Sequence, residues 1–384
     1  MNSCYADFHI HIGRTKSNKP VKITGSKSLT LSSILKEAQT RKGLDMIGVI
    51  DCHVPEVIAE IEESIVSGFA HELRDGGIRF SSLTLILGTE IEIYDENCHG
   101  PIHVLVYLPD LAKMKHFSEW LKHRMKNITL SSQRIYEKAV VIQEKTRELG
   151  GIFIPAHVFT PFKSVYGKGV HQSMSEVFDL NQIDGIELGL SSNTKMADQI
   201  HELHKFPYLT NSDAHSLQKI AREYQLVTVK EASFLEWKKA LNDEEGRRIK
   251  ANFGLSPKLG KYYVTICSRC HTPVHQIPCE TCGGQEVVKG VSNRIQELSS
   301  PVTSTERPPY IHHIPLDFLP GLGPKTFERL LMIFGTEMNI LHHVSESDLA
   351  EVVGKTLAHL IVLSRSGELD IKQGGGGTFG KVIY

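Results

Sequence analysis

No run of the 384-residue chain reaches the roughly 20 consecutive apolar residues that a membrane-spanning helix needs, so no transmembrane protein is expected. The opening "MNSCYADF" lacks the basic and apolar blocks of a secretion signal. A cytoplasmic protein, nucleoid-associated in a bacterium, is the expectation. An excess of one charge is also missing: Lys and Arg number 43, Asp and Glu 44. That excludes a bulk polyanion binder and leaves nucleic-acid contact to local patches and backbone donors.

Histidine is plentiful instead. There are 20, about double ordinary usage. Cysteines number seven, an odd count, and four form two CxxC pairs, which in a cytosolic chain favours metal over disulfide. The length predicts two or three domains.

From residue 1 to about 250, apolar strand-like runs alternate with helical patterns. "MIGVID", "LTLILGTEIEIY", "GGIFIPAH", "IDGIELGL" and "YLTNSDAH" read as strands, and Pro55 to Gly68 as a helix. Such units predict a parallel sheet or closed barrel with its chemistry at the carboxyl ends of the strands. Lys250 to Tyr263 reads as a linker, residues 262–290 as a Cys-rich module, and "ELSSPVTSTERPP" as a second linker. From about Ile311 to residue 384 the pattern is helical with Gly-rich turns.

The polar residues of the first region fall where the barrel rule places chemistry. In "DFHIHI", strand alternation puts Asp7, His9 and His11 on one face, and Phe8, Ile10 and Ile12 on the other, under outer helices. Three polar groups facing a barrel interior need partners, and metal ligation supplies them. "IDCH" adds Asp51 and His53, and "GTE" adds Glu90. "YDENCHG" reads as a return loop that brings His103 beside Glu90 and Glu92. "PAH" adds His157, and "SDAH" adds Asp213 and His215. This donor set suits Zn, Mn or Fe more readily than Mg.

The order of HxH, DxH, Glu, His, "PAH" and "SDAH" resembles the polymerase-and-histidinol-phosphatase (PHP) metallophosphoesterases. The resemblance implies an α/β fold, a distorted (β/α)7 barrel over residues 1–250, with a cluster of up to three divalent ions (Zn, Mn or Mg). It places His9, His11, Glu90 and Asp213 on the first ion. Glu90 bridges to a second, held also by His103 and His157, and His53 and His215 hold a third. Asp7 and Asp51 orient the imidazoles. The loop "IGRTKSN" lacks the further His that many members carry there. His9, His11, Glu90, Asp213 and His215 are the catalytic candidates, in a reaction that needs only metal-activated water.

In "CSRCHTPVHQIPCETC", Cys267, Cys270, Cys279 and Cys282 have the spacing of a four-thiolate structural zinc site, with His271 and His275 as substitute ligands. Lys261, Arg269 and Lys289 give that module only a sparse basic surface. "LPGLGPKTFERLLMIFG" offers Gly321, Gly323 and Lys325 at a turn and helix start suited to a phosphate. "VVGKTLAHLIVL" is a fainter copy with Val352 in place of Gly321. The pair resembles tandem helix-hairpin-helix motifs, which hold duplex DNA by its backbone. The final "GGGGTFGKVIY" reads as mobile.

Barrel, ribbon and helical tail together, with "HVFTPFKSVYGKG", "IELGLSSN", "TNSDAH" followed by "AREY", and "GGGGTFGK", resemble the endonuclease Q family over essentially the whole chain. That implies nicking of DNA 5′ to deaminated bases (uracil, hypoxanthine, xanthine) and abasic sites. Ser191, Ser192 and Asn193 are then candidates for a flipped-base pocket, with helix capping as the alternative. Lys163, Ser164, Tyr166 and Lys168 are candidates to grip DNA by charge and stacking, and Arg14, Lys16 and Arg222 to hold flanking phosphates. The residues alone also allow another phosphoesterase, such as a DNA exonuclease or a small-molecule phosphatase, or a non-enzymatic DNA-binding scaffold.

Overall fold

The first strand, Asn2–Ile10, is the seam from which the molecule is built. In the computed structural model, which describes residues 1–260, 262–274, 276–300, 305–372 and 381–382, it pairs in parallel with Met46–Val49. The sheet continues in parallel to Leu83–Ile93, then antiparallel to Ile102–Leu108 and antiparallel again to Ile152–Pro155. The short turn at "YDENCHG" forces the first of these reversals, because a parallel return needs a crossover of about a dozen residues or more. The parallel pair Ile186–Glu187 and Tyr208–Leu209 carries the ring onward through Val158 N donating to Glu187 O at 3.0 Å. The bonds His11 N to Ala214 O (3.2 Å) and Ala214 N to His9 O (3.1 Å) close it. The expected distorted (β/α)7 barrel results, with mixed rather than all-parallel pairing.

Two buried clusters follow from this ring. One gathers Phe8, Met46, Ile86, Tyr107, Ile154 and Leu209 around Trp237 of the helix Phe234–Leu241. The other joins strand residues such as Ile47, Leu85 and Val104 to helices Leu31–Glu37, Pro55–Val66, Leu111–Lys122 and Ala139–Glu148. Here the simple alternation expected for "DFHIHI" fails. Phe8 stacks on Trp237 at 4.0 Å in the first cluster, whereas Ile10 and Ile12 lie in the second. The register of the first strand shifts between Asp7 and Ile10, and that irregularity re-aims the side chains beyond it.

The outer edge of the first strand extends the sheet through Tyr224–Val229, Arg248–Gly254 and, in parallel with the latter, Tyr310–His312. The segment expected to begin a linker at Lys250 is therefore strand as far as Gly254, and the C-terminal region begins by adding a strand to the barrel's own sheet. Between them, Ile266–Cys267 and Val287–Val288 form a small antiparallel ribbon. The following helix, Val291–Leu298, is fixed to the barrel by Arg294, which donates to the carbonyls of Tyr166, Val170 and His171. Helices Pro324–Phe334, Glu337–His342, Glu346–Val353 and Lys355–Ser366 follow, and Ile371–Lys372 then pairs antiparallel with Lys381–Val382, so the C-terminal region is not helical throughout as expected. Lys261, His275 and the Gly-rich residues 373–380 lie outside the described residues. Among the described residues no helix is long and apolar enough to cross a membrane.

Histidines dock the helical region on the barrel. His342 stacks on Tyr5 at 4.7 Å and lies 2.7 Å from the Tyr224 hydroxyl, while His313 Nε2 lies 2.9 Å from Arg222 O. Burial drives both below the ordinary histidine value of 6.5, His342 to about 3 and His313 to about 4. The unfolded chain thus binds these protons at higher pH than the folded one. Their contribution to stability is complete above pH 6.5 and is lost as pH falls toward 4 and then 3. The melting temperature should fall across that window more steeply in the native protein than in a His342→Gln variant. Equal slopes would rule the coupling out.

Candidate metal centre

Ligand atoms from five separate segments meet at one end of the ring. Three sets converge within 4.8 Å: His9, His11 and Glu90; His11, Asp213 and His215; Glu90, His103 and His157. Glu90 belongs to two of them. Asp213 Oδ1 lies 3.5 Å from the Nε2 atoms of both His9 and His11 and 3.3 Å from that of His215. Glu90 Oε1 lies 3.6 Å from His9 Nε2 and 3.5 Å from His157 Nε2. These separations are long for hydrogen bonds. They match two donors sharing one tetrahedral ion at roughly 2.1 Å from each, which puts them about 3.4 Å apart.

The protein's own polar bookkeeping points the same way. His9 Nε2, His11 Nε2 and His103 Nε2 are buried without a hydrogen-bond partner, an arrangement that is costly unless a cation takes the lone pairs. The carboxylates are ready to ligate. Burial raises Asp213, but the neighbouring imidazoles of His9, His11 and His215 outweigh it and hold the group well below the ordinary carboxylate range. Glu90 is likewise held down, with His103 and Lys22 overcoming its burial. His53, expected beside His215, belongs to none of the three sets. It is buried next to Asp51, with Nδ1 unpartnered.

The ligands are aimed by their neighbours. Asp51 Oδ2 sits 3.2 Å from His11 Nδ1 and accepts from Ile12 N at 2.7 Å. His9 is held by a residue that sequence patterning missed, Glu187, whose oxygens lie 2.9 and 3.1 Å from His9 Nδ1. Glu187 also accepts from Asn211 Nδ2 and from the amide of His157, so one carboxylate sets two ligands. Asp7, expected to orient an imidazole, instead accepts from the amides of Ser212 and Ala221 at 3.0 and 2.9 Å. It anchors the "SDAH" loop to the first strand. His157 and Asp213 both carry left-handed backbone, φ +30° and +45°, which is uncommon outside glycine and clusters at functional sites. Gly189 is required beneath His157, since a Cβ there would lie 2.6 Å from His157 Cβ.

Beside this centre is a cavity of about 790 Å³, bounded by His157, Asp213, Ser191 and Arg222 and, from the C-terminal half, by Tyr262 and Phe318. Several expected contacts are not in it. Ser192 is buried and donates to Leu188 O, and Asn193 caps the helix Thr194–Ala197 by accepting from Met196 N. Tyr166 is fully buried, stacked on Phe159 with its hydroxyl on Glu202, and is not available to stack on a base. Ser164 accepts from Gly167 N inside the same turn. Lys16 pairs with Glu63 and Lys163 with Glu92, each at 2.9 Å. Arg14 donates to Asn18 O, Lys168 lies over the Phe162 ring, and Arg222 braces the carbonyls of Ser212 and Asp213.

The four ribbon cysteines also converge within 4.8 Å, all free of disulfides, with Cys267 and Cys282 Sγ atoms 3.5 Å apart and those of Cys270 and Cys279 3.6 Å apart. Thiolates about 2.3 Å from one tetrahedral ion have nearly this separation. The dependence of His9 and His157 on Glu187 predicts that Glu187→Gln weakens barrel metal affinity roughly 10- to 100-fold and leaves the ribbon ion in place. Metal titration followed by elemental analysis measures both. Unchanged barrel affinity would show that Glu187 orients nothing.

No family model matches the chain. It is 56% identical over 385 residues to "Uncharacterized protein YqxK" of Bacillus subtilis (strain 168), covering 100% of both. Among solved structures it resembles the lesion-specific endonuclease PfuEndoQ from Pyrococcus furiosus, with 32% identity and a TM-score of 0.86 over 99% of this chain and 95% of that one. It also resembles an endonuclease Q bound to a 27-mer duplex with an abasic lesion at the active site, with 31% identity and a TM-score of 0.83 over 99% and 96% of the two chains. With that identity and one fold carried across almost the full length of each, this chain belongs to the endonuclease Q family.

Proposed function

We propose that the protein is a metal-dependent DNA repair endonuclease that cleaves the phosphodiester 5′ to deaminated bases (uracil, hypoxanthine, xanthine) and to abasic sites. The observation that carries this reading is the convergence of seven of the eight expected ligands, three of them with buried unpartnered nitrogens, beside a cavity. His9, His11, Glu90 and Asp213 would hold one ion, Glu90, His103 and His157 a second, and His215, set with His11 and Asp213 and without His53, a third. Bound divalent ions supply a nucleophile at neutral pH and neutralise charge on the phosphoryl group.

The chain's own residues do the rest. Asp51 and Glu187 fix the imidazoles, and the "SDAH" loop is held from both sides by Asp7 and Arg222. The cavity has room and apolar walls for an extruded base, with Ser191 at its margin as a polar contact. The four-Cys ribbon takes a structural zinc ion. Gly321, Gly323 and Lys325 form the first of two helix-hairpin-helix phosphate sites. Gly321 has φ +83°, and a Cβ at either glycine would meet nothing within 4 Å, so both face open space where a strand can approach.

Duplexes carrying a single deoxyuridine, deoxyinosine or abasic site test the reading. A single nick 5′ to the lesion with Mn or Mg, lost on chelation and in Asp213→Ala, is the expected result. Release of nucleotides from the ends or hydrolysis of phosphomonoesters would instead mark another phosphoesterase, and binding without cleavage a scaffold. At the hairpin, Gly323→Val should fold normally, since the site is open, yet bind all duplexes several-fold more weakly. Unchanged affinity at low and high salt would remove the hairpin from the DNA interface.

A further inference from the structure

The loop that follows the first strand delivers a lysine into the metal centre. Lys22 Nζ donates to Glu90 Oε2 at 3.1 Å and to Ser132 Oγ at 2.6 Å, and the side chain is 13% exposed. Its position is built rather than incidental. Val21 N donates to Gly13 O, Lys22 N to Ile12 O and Ser131 N to Val21 O, all within 3.0 Å, so the loop is laced to the residues after His11 on one side and to the Ser131–Ser132 turn on the other. Ser132 has φ +53° and hydrogen-bonds the same Glu90 oxygen. Among the described residues, Lys22 is the one lysine or arginine whose charged group meets a side chain of the eight candidate ligands.

The two oxygens of Glu90 are thereby divided. Oε1 faces His103 at 2.8 Å, His157 at 3.5 Å and His9 at 3.6 Å. Oε2 faces His11 at 3.6 Å and is otherwise occupied by Lys22 and Ser132. An ammonium has three N–H donors, and two are used. His53, meanwhile, lies outside every converging ligand set. We propose that Lys22 is a catalytic residue: its ammonium stands at Glu90 in place of a further ion and gives its remaining N–H to a non-bridging oxygen of the phosphodiester under attack. The charge is permanent and no proton leaves it. The proposal rests on the metallo-endonuclease reading above.

Full-length native protein and the variants Lys22→Met, Lys22→Arg and Lys22→His separate the outcomes. Ion content by elemental analysis is read beside single-turnover cleavage of an abasic-site duplex. Lys22→Met should keep the native ion count and lose about 10²- to 10³-fold in rate, the usual effect of removing one donor from a developing anion. Lys22→Arg should recover much of that loss. Lys22→His should gain one ion in excess Mn. If Lys22→Met cleaves at the native rate, Lys22 is a spectator; if it loses ions, the lysine only supports the ligands. Either result overturns the proposal. A native protein that fails to cleave would instead overturn the endonuclease reading itself.

Discussion

Everything in this structure leans on a single buried carboxylate. Glu90 lies on the strand Leu83–Ile93, almost wholly shielded from water, where an isolated charge would cost several kcal/mol. It is tolerated because His9, His11, His103, His157 and Lys22 all face it. Those partners come from different strands and loops, so the ring must close for the charge to be compensated, and the charge must be compensated for the ring to close well. Each imidazole is then held from behind, His11 by Asp51 and His9 by Glu187. Fold and chemistry are here one constraint. A loosened barrel would leave a bare anion, and an uncompensated anion would loosen the barrel.

Two of the chain's left-handed non-glycine residues fall where this constraint is tightest. His157 and Asp213 sit in left-handed backbone because the strands that bring them end abruptly, and the chain must turn at once to present the side chain. Gly189 yields the space under His157, and Asp7 pins the amides on either side of the second turn. Left-handed non-glycine residues carry a modest cost, of order 1 kcal/mol each, and persist where the surroundings over-determine them. Asp7 on the amide of Ser212 and Arg222 on the carbonyls of Ser212 and Asp213 do that here.

The candidate ligands are legible in the sequence because they interrupt apolar runs at strand ends, where a bare polar residue has no cheap explanation. The CxxC pairs were legible for the same reason. What escaped notice were residues whose neighbours disguised them. Glu187 closes "IDGIE" as any surface acid might, and its role depends on a strand over a hundred and seventy residues away from His9. Lys22 sits in a stretch rich in lysine, serine and threonine that reads as solvated loop. The face that Phe8 takes departs from simple alternation because a register shift is a property of pairing, not of local pattern. Ser192, Asn193 and Tyr166 illustrate the opposite error, where polar and aromatic residues near a site turn out to cap, bond locally or fill the core.

The division into barrel, ribbon and helices is one of sequence composition more than of mechanics. Tyr310–His312 extends the barrel's sheet, Lys42 and Glu337 form a buried pair at 2.7 Å, and Arg294 stitches the ribbon's helix to the turn after His157. The cavity beside the metal centre shows why this matters. Tyr262 and Phe318, supplied by the segments entering the ribbon and the helix Pro324–Phe334, also line it. Lys219, two residues before Ala221, whose amide Asp7 accepts from, reaches Asp317 and the Phe318 ring. The C-terminal half thus closes a cavity that the ring opens, and the two halves bound one space beside the candidate ligands.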